Sequence, residues 1–365
     1  MNYESALEYI HAVQWAGHKP GLSRTRTLLA ALGDPHKKLR FVHVAGTNGK
    51  GSTAAMLASC LQAAGYRVGL YTSPFINRFN ERIQVNGEQI PDDALVRLVE
   101  RVRPAADAMA DVPTEFEIIT ALGMLWFAEE KCDIVVLEVG LGGTLDSTNV
   151  IDPPECAVIT ALGMDHIKEL GPTIADIAAA KAGIIKPGSP VVSYGGVPKA
   201  DAVIARVAKE QNAPLTVVDF SRLKVEGGDL DAVTFDFDGL DGIRLPLIGL
   251  SADKRRPRHH GPPCAAGQGM EHPRQRHPHR PRAGELAGPV RAAAAFARFS
   301  IGRQSQRPRD AGHRPEPPGP LPGAEVRLPA QHHGRQGCGR DAGTAAAAGK
   351  AVRYGRGPHA PRHAR

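Results

Sequence analysis

A strand, a glycine-rich turn and a helix follow one another between residues 41 and 61, and this order constrains the fold more than any other part of the chain. The segment Phe41-Val-His-Val-Ala predicts the strand, Gly46-Thr-Asn-Gly-Lys-Gly-Ser predicts the turn, and Thr53 begins the predicted helix. Glycines let backbone N–H groups converge on an anion, and a helix N-terminus adds partial positive charge. The segment therefore predicts a phosphate-binding loop; the alternative is a strand-to-helix turn with a surface lysine.

Two side chains of this loop have the chemistry to hold a nucleotide. Lys50 would neutralise the β- and γ-phosphates, and the hydroxyl of Ser52 would hold Mg²⁺. The loop departs from the strict phosphate-loop pattern, because Val44 stands where the first glycine belongs and Gly51 separates the lysine from the hydroxyl.

The two parts of the chain differ sharply in charge and composition. Residues 1–250 carry a net charge of −8, whereas residues 251–365 carry +15 and hold only seven Leu, Ile or Val against 16 Pro. Such a tail buries too little apolar surface to offset chain entropy. Three interpretations of this tail are open: a basic disordered segment that binds nucleic acid, a Pro-rich linker, or the product of a GC-rich gene translated in the wrong frame. Its Arg, Pro, Ala, Gly and His favour the frame error, and the lack of interleaved aromatic residues argues against nucleic acid.

The cysteines and the apolar segments of the sequence indicate in which cellular compartment the protein is expected. The five cysteines are odd in number and scattered, which gives neither a disulfide framework nor metal-ligand spacing. The first twenty residues carry charged side chains and no apolar run, and no segment has the length of a membrane helix. We therefore expect a cytoplasmic protein with no membrane partner.

Apolar segments of strand length alternate with segments of helical periodicity from residue 41 to 218. This alternation predicts an α/β fold with a doubly wound, mostly parallel sheet. We expect one or two helices in residues 1–33, a tight hairpin turn at Asn86-Gly87, and a second hairpin of residues 233–237 and 243–247 at the far edge of the sheet.

Each of the first four predicted strands ends in a polar group. Ligands bind at the carboxyl ends of strands in a parallel sheet. The first strand leads into the phosphate loop, and the next three lead to Ser73, to Glu138 and, through Asp165, to His166. Together with Ser52 these groups suit Mg²⁺ bridging nucleotide phosphates. The alternatives are a turn at Ser73, a surface carboxylate at Glu138 and a helix cap at His166.

Two further features have both a functional and a structural interpretation. The segment Gly140-Leu-Gly-Gly permits either the close approach of a ligand or a flexible turn. Lys181 lies among small apolar residues, and burial would lower its pKa so that the neutral amine can form a carbamate with CO₂. From the sequence alone, a lysine whose ammonium extends to solvent is the favoured interpretation.

Taken in order, these motifs resemble those of the bifunctional dihydrofolate synthase/folylpolyglutamate synthase enzymes, which are relatives of the Mur ligases. The order and spacing of the motifs agree over residues 1 to about 249. The matching segments are residues 46–52, 71–83, 114–117, 137–143, 145–149, 165–166 and 181–184.

The resemblance implies an ATP-dependent ligase that joins L-glutamate to dihydropteroate or to tetrahydrofolate through an acyl phosphate. The ATP-binding residues would be Thr47, Asn48, Gly49, Lys50, Gly51 and Ser52, and the Mg²⁺ ligands Ser52, Ser73, Glu138 and His166. The pterin substrate would contact His18, Lys19, Pro20, Thr114, Glu115, Phe116, Glu117, Leu145, Asp146 and Ser147. Catalysis would depend on Lys50, His166 and a carbamylated Lys181.

The chain departs from this family pattern in three places. Family members usually have histidine where Phe75 stands and arginine where Thr144 stands. The motifs of the family's second α/β domain, which help hold nucleotide and glutamate, are not recognisable in residues 250–365. We therefore predict a ligase domain in residues 1–249 and a chain that binds ATP–Mg²⁺ poorly and transfers no glutamate. A frame error predicts that another frame of the coding DNA carries the missing motifs.

Two other functions compete with this one. The first is a Mur-type ligase acting on a peptidoglycan precursor, against which residues 18–20 and 114–117 argue. The second is a non-catalytic nucleotide-binding protein whose basic tail contacts an acidic partner. We expect a monomer that acts on small molecules and has no nucleic-acid partner.

Overall fold

The computed structural model describes residues 1–12, 21–228, 232–237 and 239–246, and these residues form eight α-helices and eleven β-strands. The helices are α1 (Tyr3–Ala12), α2 (Ser23–Ala31), α3 (Lys50–Ala63), α4 (Asp92–Asp107), α5 (Glu115–Glu129), α6 (Ile167–Leu170), α7 (Ile174–Ala182) and α8 (Pro198–Glu210). The strands are β1 (Phe41–Ala45), β2 (Val68–Tyr71), β3 (Ile83–Val85), β4 (Glu88–Gln89), β5 (Ile134–Glu138), β6 (Cys156–Ile159), β7 (Val191–Ser193), β8 (Leu215–Val217), β9 (Leu223–Gly228), β10 (Ala232–Phe237) and β11 (Leu240–Pro246).

Eight of these strands form one sheet in the order β4-β3-β2-β5-β1-β6-β7-β8. The six strands from β2 to β8 in that order pair in parallel, and β3 and β4 add an antiparallel edge. The predicted α/β fold with a doubly wound, mostly parallel sheet is therefore confirmed. The predicted substrate residues His18, Lys19 and Pro20, and the whole tail of residues 250–365, lie outside the described residues.

Helices cover both faces of this sheet, which explains why its central strands β1 and β5 are buried at every position. Successive side chains of a strand point to opposite faces. Phe41 of β1 belongs to an apolar cluster with α1, α2, α4 and α5, whereas Val42 and Val44 belong to a second cluster with α3. A third cluster joins β6 to Ile204 and Ala208 of α8. Because a slip of one residue would exchange the two faces, this packing fixes the register of the strands.

The two predicted hairpins have different outcomes. Asn86 and Gly87, with φ angles of 49° and 79°, form the predicted tight turn between β3 and β4. The later hairpin forms as β10 and β11, but its predicted place at the edge of the main sheet is wrong. It pairs with β9 in a separate three-stranded antiparallel sheet. The sequence did not reveal β9, because this strand is exposed along most of its length and ends in two glycines.

The described ranges contain no helix that combines the length and the apolar character needed to cross a membrane.

Candidate active site

The strand order brings four strand ends side by side. Strands β2, β5, β1 and β6 are consecutive in the sheet, and these are the four strands whose carboxyl ends carry the predicted nucleotide and metal residues. The end of β1 enters the phosphate loop, β2 precedes Ser73, and β5 ends at Glu138. Residues that are far apart in the sequence therefore share one edge of the sheet.

The phosphate loop approaches β6 so closely that only glycine fits at its first position. Gly46 has a φ of 154°, and a Cβ at this position would lie 1.8 Å from Oγ1 of Thr160. Gly49, with a φ of 80°, occupies the N-cap of α3. Because α3 begins at Lys50, the backbone N–H groups of its first turn have no acceptor within the helix. This first turn offers donors to an anion.

We expect Gly46→Ala to lower the free energy of unfolding by about 3 kcal/mol, since the new methyl group collides with Thr160 and the backbone angle disfavours any L side chain. Gly163→Ala is the matched control, because the nearest atom to a Cβ there is Cγ2 of Thr47 at 3.9 Å. Urea denaturation of both variants measures the difference. A Gly46→Ala protein as stable as the control would contradict this geometry.

Hydrogen bonds to residues 161–163 hold the loop in place. The backbone N–H groups of Thr47 and Asn48 donate to the carbonyl oxygen of Ala161 over 3.0 and 3.1 Å. The hydroxyl of Thr47 also donates to the carbonyl of Gly163 over 3.1 Å. Two of the predicted phosphate ligands thus already have acceptors for their N–H groups, and the donors of the first turn of α3 are the ones available to phosphate.

Lys181 of α7 is buried against the phosphate loop. Its Nζ donates to the carbonyl oxygen of Gly46 over 2.8 Å, and only 3% of its surface is exposed. Burial, reinforced by the positive charge of Lys50, lowers the pKa of Lys181 to about 8. The interpretation of Lys181 as a lysine that extends to solvent is therefore wrong, because the fold turns its amine inward.

Glu138 is a buried carboxylate beside the start of α3. Its Oε2 accepts a hydrogen bond from the N–H of Ser73 over 3.0 Å, and a Cβ at Gly51 would lie 3.4 Å from the same oxygen. Burial raises the pKa of Glu138 to about 7, although the Ser73 hydrogen bond and the charges of Lys50 and Arg82 oppose this rise. No basic side chain of the described residues forms an ion pair with Glu138. A cation at this position would therefore be stabilised.

The other predicted metal ligands lie at the same edge with less burial. His166 is the N-cap of α6, and its half-exposed imidazole has Nε2 at 3.6 Å from Oδ2 of Asp165 and Nδ1 at 4.0 Å from Oε2 of Glu169. Ser52 lies in the first turn of α3. Among the described residues, no three His, Cys, Asp or Glu side chains are close enough to form a metal centre by themselves.

A cavity of about 420 Å³ lies beside these strand ends. Its walls come from the segments around β2, from the start of α5, from the turn after β5 and from α6. The lining residues are Gly21, Ser73, Pro74, Arg82, Thr114, Glu115, Phe116, Glu117, Ile119, Gly140, Leu141, Leu145, Asp146, Ser147, His166 and Glu169. The fold thus brings all seven described residues of the predicted pterin site together with two of the predicted metal ligands.

Two carboxylates of the predicted pterin site already have partners within the protein. Glu117 accepts from the N–H of Thr114 over 2.7 Å in a helix capping box and from Nε of Arg24 over 3.0 Å. Asp146 accepts from the N–H of Leu141 over 2.8 Å, and burial raises its pKa. These residues shape the cavity wall through contacts that the sequence did not reveal.

The glycine-rich turn after β5 packs against the protein itself. A Cβ at Gly140 would lie 2.5 Å from Cζ of Phe116, and one at Gly143 would lie 2.9 Å from the carbonyl oxygen of Ala180. The turn therefore fills the space between α5 and α7, and because Gly140 and Leu141 also line the cavity, the close approach of a ligand stays a prediction.

Sequence reasoning assigned no cavity role to five lining residues. Two of them, Pro74 and Arg82, lie within the motif of residues 71–83, which was the available signal. The other three, Gly21, Ile119 and Glu169, lie outside the matched segments, so only folding reveals their position. Gly140 and Leu141 belong to the glycine-rich segment for which the close approach of a ligand was one interpretation, and both line the cavity.

A phosphate loop next to a cavity with a buried carboxylate is an arrangement suited to a nucleotide bound beside a small-molecule ligand. Residues 44–236, more than half of the chain, match the family model of the Mur ligase middle domain. The chain belongs to the Mur ligase family.

Relatives within this family confirm the resemblance seen in the motifs. The chain is 46% identical over 257 residues to the dihydrofolate synthase/folylpolyglutamate synthase of Bacillus subtilis. It is 47% identical over 259 residues to the folylpolyglutamate synthase of Lacticaseibacillus casei. Each alignment covers 68% of this chain and 60% of the relative, so the chain spans about 60% of the length of these proteins.

Solved structures give the same result. The fold is similar to the apo form of the L. casei enzyme, with a TM-score of 0.64 and 38% identity over 82% of this chain and 68% of that one. An FPGS–AMPPCP–folate complex has a TM-score of 0.65 and 38% identity, with the same coverage. An E. coli FolC in complex with DHPP and ADP has a TM-score of 0.59 and 34% identity over 68% of this chain and 59% of that one.

Proposed function

We propose that this chain carries the ATP- and pterin-binding part of a ligase that adds L-glutamate to dihydropteroate, to tetrahydrofolate or to both. One observation carries the proposal: the hydrogen bond between Ser73, which lines the cavity, and Glu138, which lies against the start of α3. It joins the predicted substrate site to the predicted nucleotide site. The relatives and the folate- and DHPP-containing structures supply the substrate class.

The donor set fits Mg²⁺, a hard cation that prefers oxygen ligands. Glu138 supplies a buried carboxylate that pairs with no basic side chain of the described residues, Ser52 and Ser73 supply hydroxyls, and His166 supplies an imidazole. Because these groups are few, phosphate and water oxygens would complete the coordination. Bound there, the ion would neutralise charge on the nucleotide phosphates.

The chemistry requires a carboxylate to become an acyl phosphate. The substrate carboxylate attacks the γ-phosphorus of ATP, ADP leaves, and the amino group of glutamate then displaces phosphate with loss of a proton. Lys50 and the N–H groups of the first turn of α3 would stabilise negative charge on the transferring phosphoryl group. The cavity would hold the pterin so that its carboxylate faces the phosphate loop, which makes the attack effectively intramolecular.

Carbamylation of Lys181 is part of the proposal. A pKa of about 8 leaves roughly a tenth of the amine neutral at pH 7, far more than an ordinary lysine has, and neutral amines react with CO₂. We expect ¹³C-bicarbonate to give a carbamate NMR signal that disappears in Lys181→Met and remains in Lys186→Met. Lys186 is the matched control because burial also lowers its pKa to about 8. A signal unchanged by Lys181→Met would contradict the assignment.

The domain assignment also stays a proposal. We assign residues 1–249 to the ATP-binding ligase domain and treat residues 250–365 as a tail that does not replace the family's second domain. On this basis the chain as written binds ATP–Mg²⁺ weakly and has little or no glutamate ligase activity. We further propose a cytoplasmic monomer; the described cysteines Cys60, Cys132 and Cys156 are free thiols, as a reducing compartment allows.

A binding competition tests the substrate class without requiring turnover. The full chain should be stabilised against heat by dihydropteroate and not by a UDP-muramoyl amino acid, since the cavity of about 420 Å³ suits one pterin-sized ligand. Stabilisation by the UDP-muramoyl compound alone would overturn the proposal in favour of a peptidoglycan-precursor ligase.

A further inference from the structure

Arg82 lines the cavity, and within the part of the chain that the structure describes no carboxylate pairs with its charge. Its Nε is buried and has no hydrogen-bond acceptor, and no carboxylate of the described residues forms an ion pair with it. Its Cζ lies 5.1 Å from the ring centre of Phe75 and 5.8 Å from that of Phe79. The two rings hold the guanidinium in position without using its hydrogen-bond donors.

The neighbouring Arg78, in the same loop, has a different side-chain environment. Arg78 is paired with Asp92 and lies 5.4 Å from the ring centre of Tyr3, outside the residues that line the cavity. Among the described residues, the side chain of Arg82 contacts the rings of Phe75 and Phe79 and pairs with no carboxylate. A partly buried donor group without an acceptor is costly until a ligand supplies one.

The charged residues that line the cavity indicate which chemical group of a ligand would bind at Arg82. Among the described residues that line the cavity, Arg82 is the only lysine or arginine, and the acidic ones are Glu115, Glu117, Asp146 and Glu169. An anionic group of a ligand would therefore be repelled by these carboxylates and attracted to Arg82. A planar guanidinium matches a carboxylate with two parallel hydrogen bonds.

Arg82 is also close to the nucleotide site. Its charge acts on the carboxylate of Glu138, and Ser73, which donates to Glu138, lines the same cavity. We propose that Arg82 binds the reacting carboxylate of the pterin substrate and makes the cavity select the acid over its uncharged analogues. This inference rests on the proposed function, because it takes the pterin acid as the ligand.

Calorimetric titration of the full chain with dihydropteroate and with its primary carboxamide tests the inference. The unmodified protein should bind the acid about 10- to 100-fold more tightly than the amide, as a charge-assisted pair implies. Arg82→Gln should remove this preference while leaving the affinity for the amide unchanged. Arg82→Lys should restore part of it, because the charge returns without the planar fork. Arg78→Gln is the matched control and should keep the full preference.

The possible failures are distinguishable. If the unmodified protein binds neither ligand, both the proposed function and this inference are overturned. If it binds both ligands and Arg82→Gln retains the preference for the acid, only the role of Arg82 is overturned. A thermal melt of each variant accompanies the titrations, and an Arg82→Lys protein that is folded but has no preference over Arg82→Gln also counts against the inference.

Discussion

Glu138→Gln is expected to make the protein more stable at pH 8 and to abolish its stabilisation by Mg²⁺ with ATP. Burial raises the pKa of this carboxyl from 4.5 to about 7, so the ionised form is disfavoured in the folded protein. A shift of this size corresponds to about 3 kcal/mol at pH values above both pKa values. The amide of glutamine can still accept the hydrogen bond from Ser73, but it carries no charge for a cation.

The raised pKa of Glu138 determines the direction in which stability changes with pH. The folded state holds a proton on Glu138 up to about pH 7, whereas the unfolded chain loses that proton near pH 4.5. The contribution of Glu138 to stability is therefore fully present below pH 4.5 and is lost as the pH rises through 7. We expect Glu138→Gln to match the unmodified protein near pH 4 and to exceed it by about 2–3 kcal/mol at pH 8.

Urea denaturation at several pH values, with and without Mg²⁺ and ATP, measures both effects. Glu210→Gln is the matched control, because Glu210 is exposed and pairs with Arg206 on the surface of α8. A Glu138→Gln protein that is destabilised equally at every pH would contradict the raised pKa of Glu138. One that still gains stability from Mg²⁺ with ATP would show that Glu138 does not hold a cation.

The site could be predicted from the sequence because each of its parts follows a strand. The phosphate loop, Ser73, Glu138 and His166 were each assigned to a strand end, and the rule for parallel sheets then placed them at one edge. The order of the strands was not available from the sequence. It is the neighbouring order β2-β5-β1-β6 that makes these four ends adjacent.

Other parts of the site depend on contacts that no local pattern encodes. The inward direction of Lys181 follows from the packing of α7 against the loop, and the partner of Glu117 is Arg24, 93 residues earlier. The role of Arg82 was not predicted either. It follows from the absence of a carboxylate partner among the described residues, which only the folded structure shows. The apolar alternation of β9 is only four residues long and is followed by two glycines, so its pairing with β10 could not be foreseen.

The largest expected effect is the loss of glutamate transfer when Lys50 is replaced in a chain whose ligase activity has been restored. The chain as written is expected to transfer no glutamate, so the second half must be supplied. Replacing residues 250–365 by the C-terminal part of the Bacillus subtilis relative should yield an active enzyme, because the two proteins are 46% identical over 257 residues. Lys50→Ala in that chimera should lower turnover ~100- to 1,000-fold, since Lys50 stabilises charge only as the phosphoryl group transfers. Lys209→Ala, an exposed residue of α8, is the control.

The most direct test of the central claim is therefore the incorporation of radiolabelled glutamate into dihydropteroate or tetrahydrofolate by this chimera, in the presence of ATP and Mg²⁺. We predict incorporation by the chimera and by its Lys209→Ala variant, and almost none by Lys50→Ala or by the unaltered chain. A folded chimera that incorporates no glutamate, or one whose Lys50→Ala variant is as active as its parent, would contradict the claim that residues 1–249 form the ATP and pterin site of a glutamate ligase.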